Sequence, residues 1–253
     1  MTVEPNGNAL RVLLYGAHAN DLREELQRQS ALQLVQANPD VIVCYGGDGT
    51  LLSAELAWPG VPKAPIRNSR RGNRCMGHPP GEILERLAQG GLHRSEYVKL
   101  QCAFRASRPD PMPKPMLAMN EINVHMGRIN TAVRFKLWID GDPFENGLEI
   151  IGDGFVVSTP FGSTAYFNQI TRGVFHTGIG VAFKYTSEQI NHLVLPDAAV
   201  IHAEITRGPA ILAHDNAPEY VPLQAGDVLT VSKSPRPAII LTWTPMKYPS
   251  DQF

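Results

Sequence analysis

The chain has 253 residues, a formal net charge of −1 and 43% hydrophobic residues. This length can bury one large core or two smaller ones, and the composition is that of a globular protein. The near-neutral charge excludes a global attraction for nucleic acid or an anionic membrane, so we expect neither partner. Three cysteines without a C-x-x-C pattern support neither a disulfide framework nor a structural zinc site.

Targeting signals are also missing from the sequence. Met1 to Leu10 lacks the basic start and apolar run of a signal peptide. No stretch approaches the roughly eighteen consecutive apolar residues of a membrane span. We therefore expect a soluble protein of the reducing cytoplasm.

The first part of the chain alternates short apolar runs with helix-forming segments. Leu10 to Tyr15 predicts a strand, and Asn20 to Gln29 predicts a helix. The continuous run from Asp40 to Tyr45 is typical of a parallel strand covered on both faces, and Leu51 to Ala57 predicts the helix behind it. Residues 1–95 are therefore predicted to form a Rossmann-like α/β domain.

From Val98 onward the pattern becomes β-rich, with Gly, Pro and Asp at the turns. The proline-rich stretch from Arg108 to Pro115 predicts an exposed loop. The clearest predicted strands are Ala132 to Ile139, Phe155 to Ser158, Val228 to Val231 and Ala238 to Trp243. We expect a β-sandwich-like domain over residues 96–235, a tail over 236–253 that returns to the first domain, and a site in the cleft between the two domains.

A glycine-rich loop, Gly46-Gly47-Asp48-Gly49-Thr50, follows the predicted strand at 40–45. The main chain of such a loop approaches phosphate oxygens closely, Thr50 adds a hydroxyl, and the start of the next helix favours negative charge. The carboxylate of Asp48 suits a general base acting on an attacking hydroxyl, or a ligand of a divalent cation. The alternative interpretation is a tight turn in which Asp48 caps the next helix.

A second motif occupies residues 152–166 and reads GDGFVVSTPFGSTAY. Its hydroxyls, at Ser158, Thr159, Ser163 and Thr164, favour a polar, sugar-bearing ligand, with Tyr166 as an aromatic wall. The alternative is a hairpin whose hydroxyls bond only the protein's own main chain.

Together these motifs resemble those of the NAD kinase family, enzymes that use ATP or polyphosphate to phosphorylate the adenosine ribose 2′-hydroxyl of NAD. The resemblance rests on GGDGT at 46–50, Asn120-Glu121, and GDG with STPFGSTAY at 152–166. It implies that NAD and ATP are the ligands and that Mg²⁺ or another divalent metal is needed, without a metal site of the protein's own. It also implies a homodimer or homotetramer.

The resemblance further implies roles for individual residues. Asp48 is the general base, Gly49 lies against the nucleotide, and Gly46, Gly47 and Thr50 bind phosphate. The residues implied to contact NAD are Asn120, Glu121, Asp153, Thr164, Ala165, Tyr166 and Asp215. For Asp215, an Asx turn at the end of a strand is an equally good interpretation.

The sequence also departs from the family's pattern. The segment 66–75 retains Asn68 but lacks the aromatic residue of N-x-G-x-x-G-F, Ile151 replaces a basic residue, and Arg172-Gly173 replaces a double glycine. The altered segment carries arginines at 67, 70, 71 and 74. We predict that Arg70 and Arg71 bind phosphate through their guanidinium groups, with a solvated loop as the alternative.

Two other functions stay open at this point. A lipid kinase of the diacylglycerol type would share the GGDGT loop, although the chain has no amphipathic membrane-docking segment. A catalytically impaired, NAD-binding regulatory protein would explain the altered segment at 66–75.

Overall fold

The structure is a computed structural model that describes residues 9–70, 72–107, 115–188 and 190–245. The chain divides into two units. The first comprises the residues up to Tyr97 together with those from Pro237 on, and the second is Val98–Arg236.

Strands form most of the regular structure. Numbered in chain order, they are β1 (Leu10–Tyr15), β2 (Leu32–Leu34), β3 (Val41–Gly46), β4 (Lys63–Arg67), β5 (His93–Tyr97), β6 (Leu100–Arg105), β7 (Met116–Ala118), β8 (Glu121–Met126), β9 (Val133–Ile139), β10 (Asp142–Pro143), β11 (Ile150–Gly152), β12 (Gly154–Ser158), β13 (Ile179–Lys184), β14 (His192–Leu195), β15 (Ile201–Arg207), β16 (Ala210–His214), β17 (Val221–Leu223), β18 (Val228–Lys233) and β19 (Ala238–Thr242). The α-helices are α1 (Arg23–Gln27), α2 (Asp48–Ala57), α3 (Pro80–Ala88) and α4 (Tyr166–Thr171). Short 3-10 turns occur at Ala19–Leu22, Phe144–Gly147 and Gly162–Thr164.

The first unit is built on one six-stranded sheet in the order β2-β1-β3-β4-β19-β5. All neighbouring strands are parallel except β5, which runs antiparallel to β19. The central strand β3 is buried from Val41 to Cys44, as the continuous apolar run predicts. Strand β19 lies between β4 and β5, so a distant part of the chain completes this sheet.

Two of the predicted helices in this unit differ from the structure. The segment from Asn20 to Gln29 is a 3-10 turn followed by the short α1, because the tighter turn brings Ala19 and Leu22 to the same buried side. The helix predicted from Leu51 begins three residues earlier, at Asp48, so the end of the GGDGT loop is its first turn. The strands predicted at 10–15 and 40–45 are confirmed to within one residue.

The second unit is a β-sandwich of two antiparallel sheets. One has the order β10-β9-β15-β18-β6-β7, with β11 also paired to β9, and the other has the order β14-β13-β12-β8-β16-β17. Apolar side chains from both sheets form one core, in which the rings of Phe135 and Phe155 have centroids 4.8 Å apart. The prediction of an α/β part and a β-sandwich-like part is therefore confirmed.

The Gly152-Asp153-Gly154 segment connects β11 of one sheet to β12 of the other. Gly154 has a φ of +121°, and a Cβ on it would collide with the carbonyl oxygen of Val124. A Cβ on Gly152 would lie 2.7 Å from the carbonyl oxygen of Lys184. Both glycines are therefore required by the close approach of neighbouring main chain where the chain passes from one sheet to the other.

The proline-rich loop predicted from Arg108 to Pro115 lies, apart from Pro115, outside the described residues, and it stays a prediction. Within the described ranges, no helix has the length and apolar character that a bilayer crossing requires.

The crossing at Gly154 predicts a large destabilisation when this residue gains a side chain. Gly154→Ala is expected to lower the free energy of unfolding by about 3 kcal/mol or more, because it adds a main-chain collision to an unfavourable φ. Gly141→Ala is the matched control, since Gly141 has a φ of +91° but no neighbouring atom within 4 Å of an added Cβ. The control is expected to lose about 1 kcal/mol. Urea denaturation checks both values, and equal losses would contradict the packing argument.

Candidate functional site

The carboxylate of Asp48 holds the loop that follows β4. Strand β3 ends at Gly46, Gly47 caps α2 without a side-chain bond, and Asp48 is the first helical residue. The Asp48 carboxylate accepts N–H groups from Asn73 at 3.2 Å and Arg74 at 2.8 Å. Asp48 therefore is not the cap of its own helix, which corrects that alternative interpretation.

The thiol of Cys75 contacts the same carboxylate. Its Sγ donates to Oδ1 of Asp48 at 3.7 Å. Burial, together with the Asp48 charge, raises the pKa of this thiol. Cys75 is therefore a protonated donor to Asp48.

The remaining GGDGT residues form a close turn at the carboxyl end of β3. The side chain of Thr50 folds back so closely that a Cβ on Gly46 would collide with its hydroxyl oxygen. The N–H of Thr50 donates to the carbonyl oxygen of Gly47 at 2.9 Å. Gly49 is exposed. The turn thus presents bare main chain at the start of α2, where the helix dipole favours an anion.

The arginines of the altered segment do not form a single exposed cluster. Arg67 and Arg70 are exposed, whereas Arg74 is only 5% exposed and burial lowers the pKa of its guanidinium. The N–H of Asn68 donates to the carbonyl oxygen of Gly46 at 2.8 Å, which ties this segment to the GGDGT turn. Arg71 lies outside the described residues, so its predicted phosphate contact stays a prediction, as does that of Arg70.

In the second unit, the carboxylate of Asp215 binds three consecutive main-chain amides. The N–H groups of Met119 and Asn120 each donate to it at 2.7 Å, and that of Glu121 donates at 3.1 Å. Asp215 follows β16 with a φ of +44°. An Asx turn is local, whereas these bonds reach a segment 94 to 96 residues away. We call residues 119–121 with Asp215 the Asp215 clamp.

The buried hydroxyls of the STPFGSTAY motif bond the protein's own main chain. Thr159 donates to the carbonyl oxygen of Met119 at 2.6 Å, and Ser163 donates to that of Phe175 at 3.0 Å. Ser158 donates to the carbonyl oxygen of Thr159 at 3.1 Å. The expectation that all four hydroxyls face a ligand was therefore wrong for these three, since each is fully buried.

The last residues of that motif are more open. Thr164, Ala165 and Tyr166 are all half-buried. Gly162, just before them, packs on the main chain of Asn120 so closely that a Cβ would collide with it. The motif is thus positioned directly on the Asp215 clamp.

The face of the β12 sheet that points away from the core carries a row of polar side chains. Lys184 donates to Oδ1 of Asn123 at 2.7 Å, and its Nζ lies 5.5 Å from the centroid of the Tyr166 ring. Burial lowers the pKa of Lys184 to about 7, against a smaller opposing effect of Asp153. Lys184 and Tyr166 line a cavity of about 630 Å³ together with Asp153 and other residues.

Glu121 is a buried carboxyl beside this row. Burial, and secondarily the charge of Asp215, raises the pKa of Glu121 to about 8. Its Oε2 is buried and has no hydrogen-bond partner within the described part of the chain. At neutral pH the Glu121 side chain is therefore a neutral carboxylic acid that can donate a hydrogen bond.

Known proteins with similar sequences are NAD kinases. The family described as the ATP-NAD kinase C-terminal domain matches residues 119–242, which include the Asp215 clamp and the STPFGSTAY motif. An NAD kinase of Oleidesulfovibrio alaskensis is 28% identical over 222 residues, which are 84% of this chain and 74% of that protein. The chain is therefore similar to NAD kinases over most of its length.

Solved structures of NAD kinases have the same fold. A yeast NADH kinase crystallised with NADH is 16% identical, with a TM-score of 0.82 over 96% of this chain and 89% of its own. An NAD kinase from Archaeoglobus fulgidus crystallised with ATP is 22% identical, with a TM-score of 0.71 over 93% of each chain.

The structure brings several of the predicted site residues together in two groups. Gly46 to Thr50 gather at the start of α2, while Asn120, Glu121 and Asp215 meet in the clamp. Sequence analysis missed Asn123 and Lys184. The sequence signal that could have pointed to Lys184 is its place as the one charged residue at the end of the otherwise apolar run of β13.

The raised pKa of Glu121 predicts a pH dependence of stability. The folded state keeps the proton up to about pH 8, whereas the unfolded state loses it near the ordinary value of 4.5, so folding stability falls as pH rises between these values. Glu121→Gln should remove a slope of up to about 1.4 kcal/mol per pH unit. Urea denaturation between pH 5 and pH 7 is the measurement, because above pH 7 the lowered pKa of Lys184 contributes the opposite slope.

The exposed Glu145 provides the control for this experiment. Glu145→Gln should keep the wild-type dependence of the free energy of unfolding on pH. Parallel curves for wild type and Glu121→Gln would contradict the assignment of a buried, neutral Glu121.

Proposed function

We propose that this chain phosphorylates the 2′-hydroxyl of the adenosine ribose of NAD to give NADP, with ATP as the phosphoryl donor. Similarity to proteins named NAD kinase, which are phosphotransferases, supports this reaction. The related proteins solved with NADH and with ATP support the two ligand classes. Polyphosphate as an alternative donor stays a prediction.

The observation that carries the proposal is the position of the Asp48 carboxylate. It stands at the first turn of α2, at the carboxyl end of a central parallel strand, where α/β sheets bind anionic ligands. Two amides and a thiol hold it in a fixed orientation. A half-buried carboxylate fixed in this way suits a general base that accepts the proton of the attacking ribose hydroxyl.

The GGDGT turn is proposed to bind the phosphates of the donor. Its glycines let main-chain N–H groups approach phosphate oxygens without obstruction, and the start of α2 adds its dipole. The Thr50 hydroxyl and the exposed Arg70 are proposed to bind phosphate oxygens as well. Since a loose phosphoryl-transfer transition state needs little covalent help, fixed geometry and charge neutralisation would supply most of the rate.

The second unit is proposed to hold NAD. The Asp215 clamp fixes the main chain of Asn120 and Glu121, so their side chains start from a rigid position. Asp153 and Tyr166 border the cavity, and Thr164 and Ala165 precede Tyr166 at the start of α4. We propose that these residues contact the ribose and nicotinamide portions of NAD. The cleft between the two domains also stays a prediction.

Divalent metal is proposed to arrive with the donor. Within the described ranges, no group of three or more His, Cys, Asp or Glu side chains is arranged to hold a metal ion. Mg²⁺ usually keeps several waters and takes only one or two carboxylates together with substrate phosphates, so a single carboxylate such as Asp48 fits it. When bound, the metal would neutralise phosphate charge. Cytoplasmic location, expected from the cysteines and the lack of a targeting signal, and a homodimer or homotetramer, implied by the resemblance, remain predictions.

Asp48→Asn tests the proposed base. The amide keeps the size of the side chain but cannot accept a proton, so turnover should fall by about 10²- to 10⁴-fold. NAD should still bind. The measurements are the rate of NADP formation, calorimetric binding of NAD and a thermal melt that verifies folding.

Asp21→Asn is the matched control, because Asp21 is an exposed carboxylate of the same unit in the 3-10 turn Ala19–Leu22. It should retain wild-type turnover. A folded Asp48→Asn variant with full activity would remove Asp48 from its role. Incubation of the wild type with labelled ATP and either NAD or diacylglycerol separates the proposed reaction from lipid phosphorylation, and NAD binding without NADP formation would indicate a regulatory protein.

A further inference from the structure

The cavity of about 630 Å³ in the second unit has a buried amine in its wall. Lys184 is 3% exposed, and its Nζ lies between the amide oxygen of Asn123, at 2.7 Å, and the ring of Tyr166. Because β13 directs Val181 and Phe183 into the core, Lys184 belongs to the opposite face. The ammonium thus meets any group that enters the cavity beside Tyr166.

The position of Lys184 depends on the glycine crossing described above. In the register of the sheet, Gly154 lies between His125 on β8 and Lys184 on β13. Since Gly154 has no side chain, the lysine can extend across this gap to Asn123, which projects from the same face of β8. The amine is therefore fixed by packing and by one hydrogen bond.

Other charged and titratable groups line the same cavity or lie beside Tyr166. They are His125 and Glu121 on β8, Asp153 at the crossing between the sheets, Tyr166 on α4, Arg172 at the end of α4, and Tyr185 and Glu188 after β13. Asp153 acts on Lys184 with opposite charge, which favours the ammonium. Arg172, with a left-handed φ of 60°, adds a second cation at the cavity. The cavity is therefore not a site of uniform negative charge that would attract a cationic ring.

We propose that Lys184 is a specificity-determining residue that makes this chain prefer NADH to NAD⁺ as the phosphoryl acceptor. The inference rests on the proposed function, in which the nicotinamide enters the cavity beside Asp153 and Tyr166. The oxidised nicotinamide is a cationic pyridinium, and the reduced ring is neutral. A buried ammonium at the ring therefore repels NAD⁺ and leaves NADH unaffected.

The charge of Lys184 also gives the preference a pH dependence. The lowered pKa of about 7 means that the amine is charged below pH 7 and neutral above it. The preference for NADH should therefore be strongest at low pH and decline as pH rises. Glu121, whose pKa is raised to about 8, would change the preference in the same direction, so a variant at Lys184 is needed to separate the two groups.

The experiment measures kcat/KM for NAD⁺ and for NADH at pH 6.5 and pH 8.5, with the phosphorylated products separated by chromatography. The wild type should favour NADH more at pH 6.5 than at pH 8.5. Lys184→Gln should lower the NADH/NAD⁺ ratio at pH 6.5 by about five- to twentyfold, because the charge is removed. Lys184→Arg keeps the charge at both pH values and should retain the preference without the part of the pH dependence that Lys184 supplies.

Lys233→Gln is the matched control, because Lys233 is an exposed lysine of the same unit, paired with Asp197 at 2.8 Å. It should leave the ratio unchanged. Folded Lys184→Gln with the wild-type ratio and pH profile overturns the inference while leaving the kinase proposal intact. Absence of any product from either dinucleotide overturns the kinase proposal itself. Should Lys184→Gln fail to fold, a wild-type ratio that does not fall between pH 6.5 and pH 8.5 would still overturn the inference.

Discussion

The candidate site of the second unit depends on one carboxylate that accepts three consecutive main-chain amides. Asp215 receives the N–H groups of Met119, Asn120 and Glu121 and so joins segments almost a hundred residues apart. The carbonyl groups of the same segment accept bonds from the STPFGSTAY motif, since Thr159 donates to Met119. Loss of the carboxylate would leave buried donors without partners, which is more costly than the bonds themselves are favourable. Each of these three segments therefore fixes the position of the other two.

Asp48 and Glu121, two of the acidic side chains given roles in the proposed reaction, have contrasting surroundings. Asp48 accepts donors from Asn73, Arg74 and Cys75, so its oxygens are held in place. Glu121 is buried with one oxygen unpartnered within the described residues, and this environment favours its neutral form. The different environments suit the two carboxyl groups to different tasks, Asp48 as an acceptor and Glu121 as a donor.

The sequence was sufficient to predict features that are local. The apolar run before GGDGT predicted a buried parallel strand, and the glycines predicted a turn at its carboxyl end; both follow from residue type alone. Bonds between distant segments could not be predicted, because nothing in the hydroxyl of Thr159 indicates that its acceptor is the carbonyl oxygen of Met119, 40 residues away. For the same reason the sequence did not single out Lys184. Its contact with Asn123 follows from the sheet register, in which Gly154 lies between β8 and β13.

The altered segment at 66–75 has a physical role in the structure, because it holds the carboxylate of Asp48. In this segment two main-chain amides and a thiol donate to the carboxylate of Asp48. Arg74, one of its four arginines, is buried, and its main-chain amide donates to that carboxylate.

The placement of β19 has a consequence for synthesis on the ribosome. Strand β5 pairs only with β19 among the described strands, and β4 has β19 on one side. When the first hundred residues have left the ribosome, β19, which joins β5 to the rest of the sheet, is still missing. About 140 further residues, which include the whole sandwich, must emerge before β19 is complete. The sandwich is thus available to fold first, and the α/β sheet is the last to close.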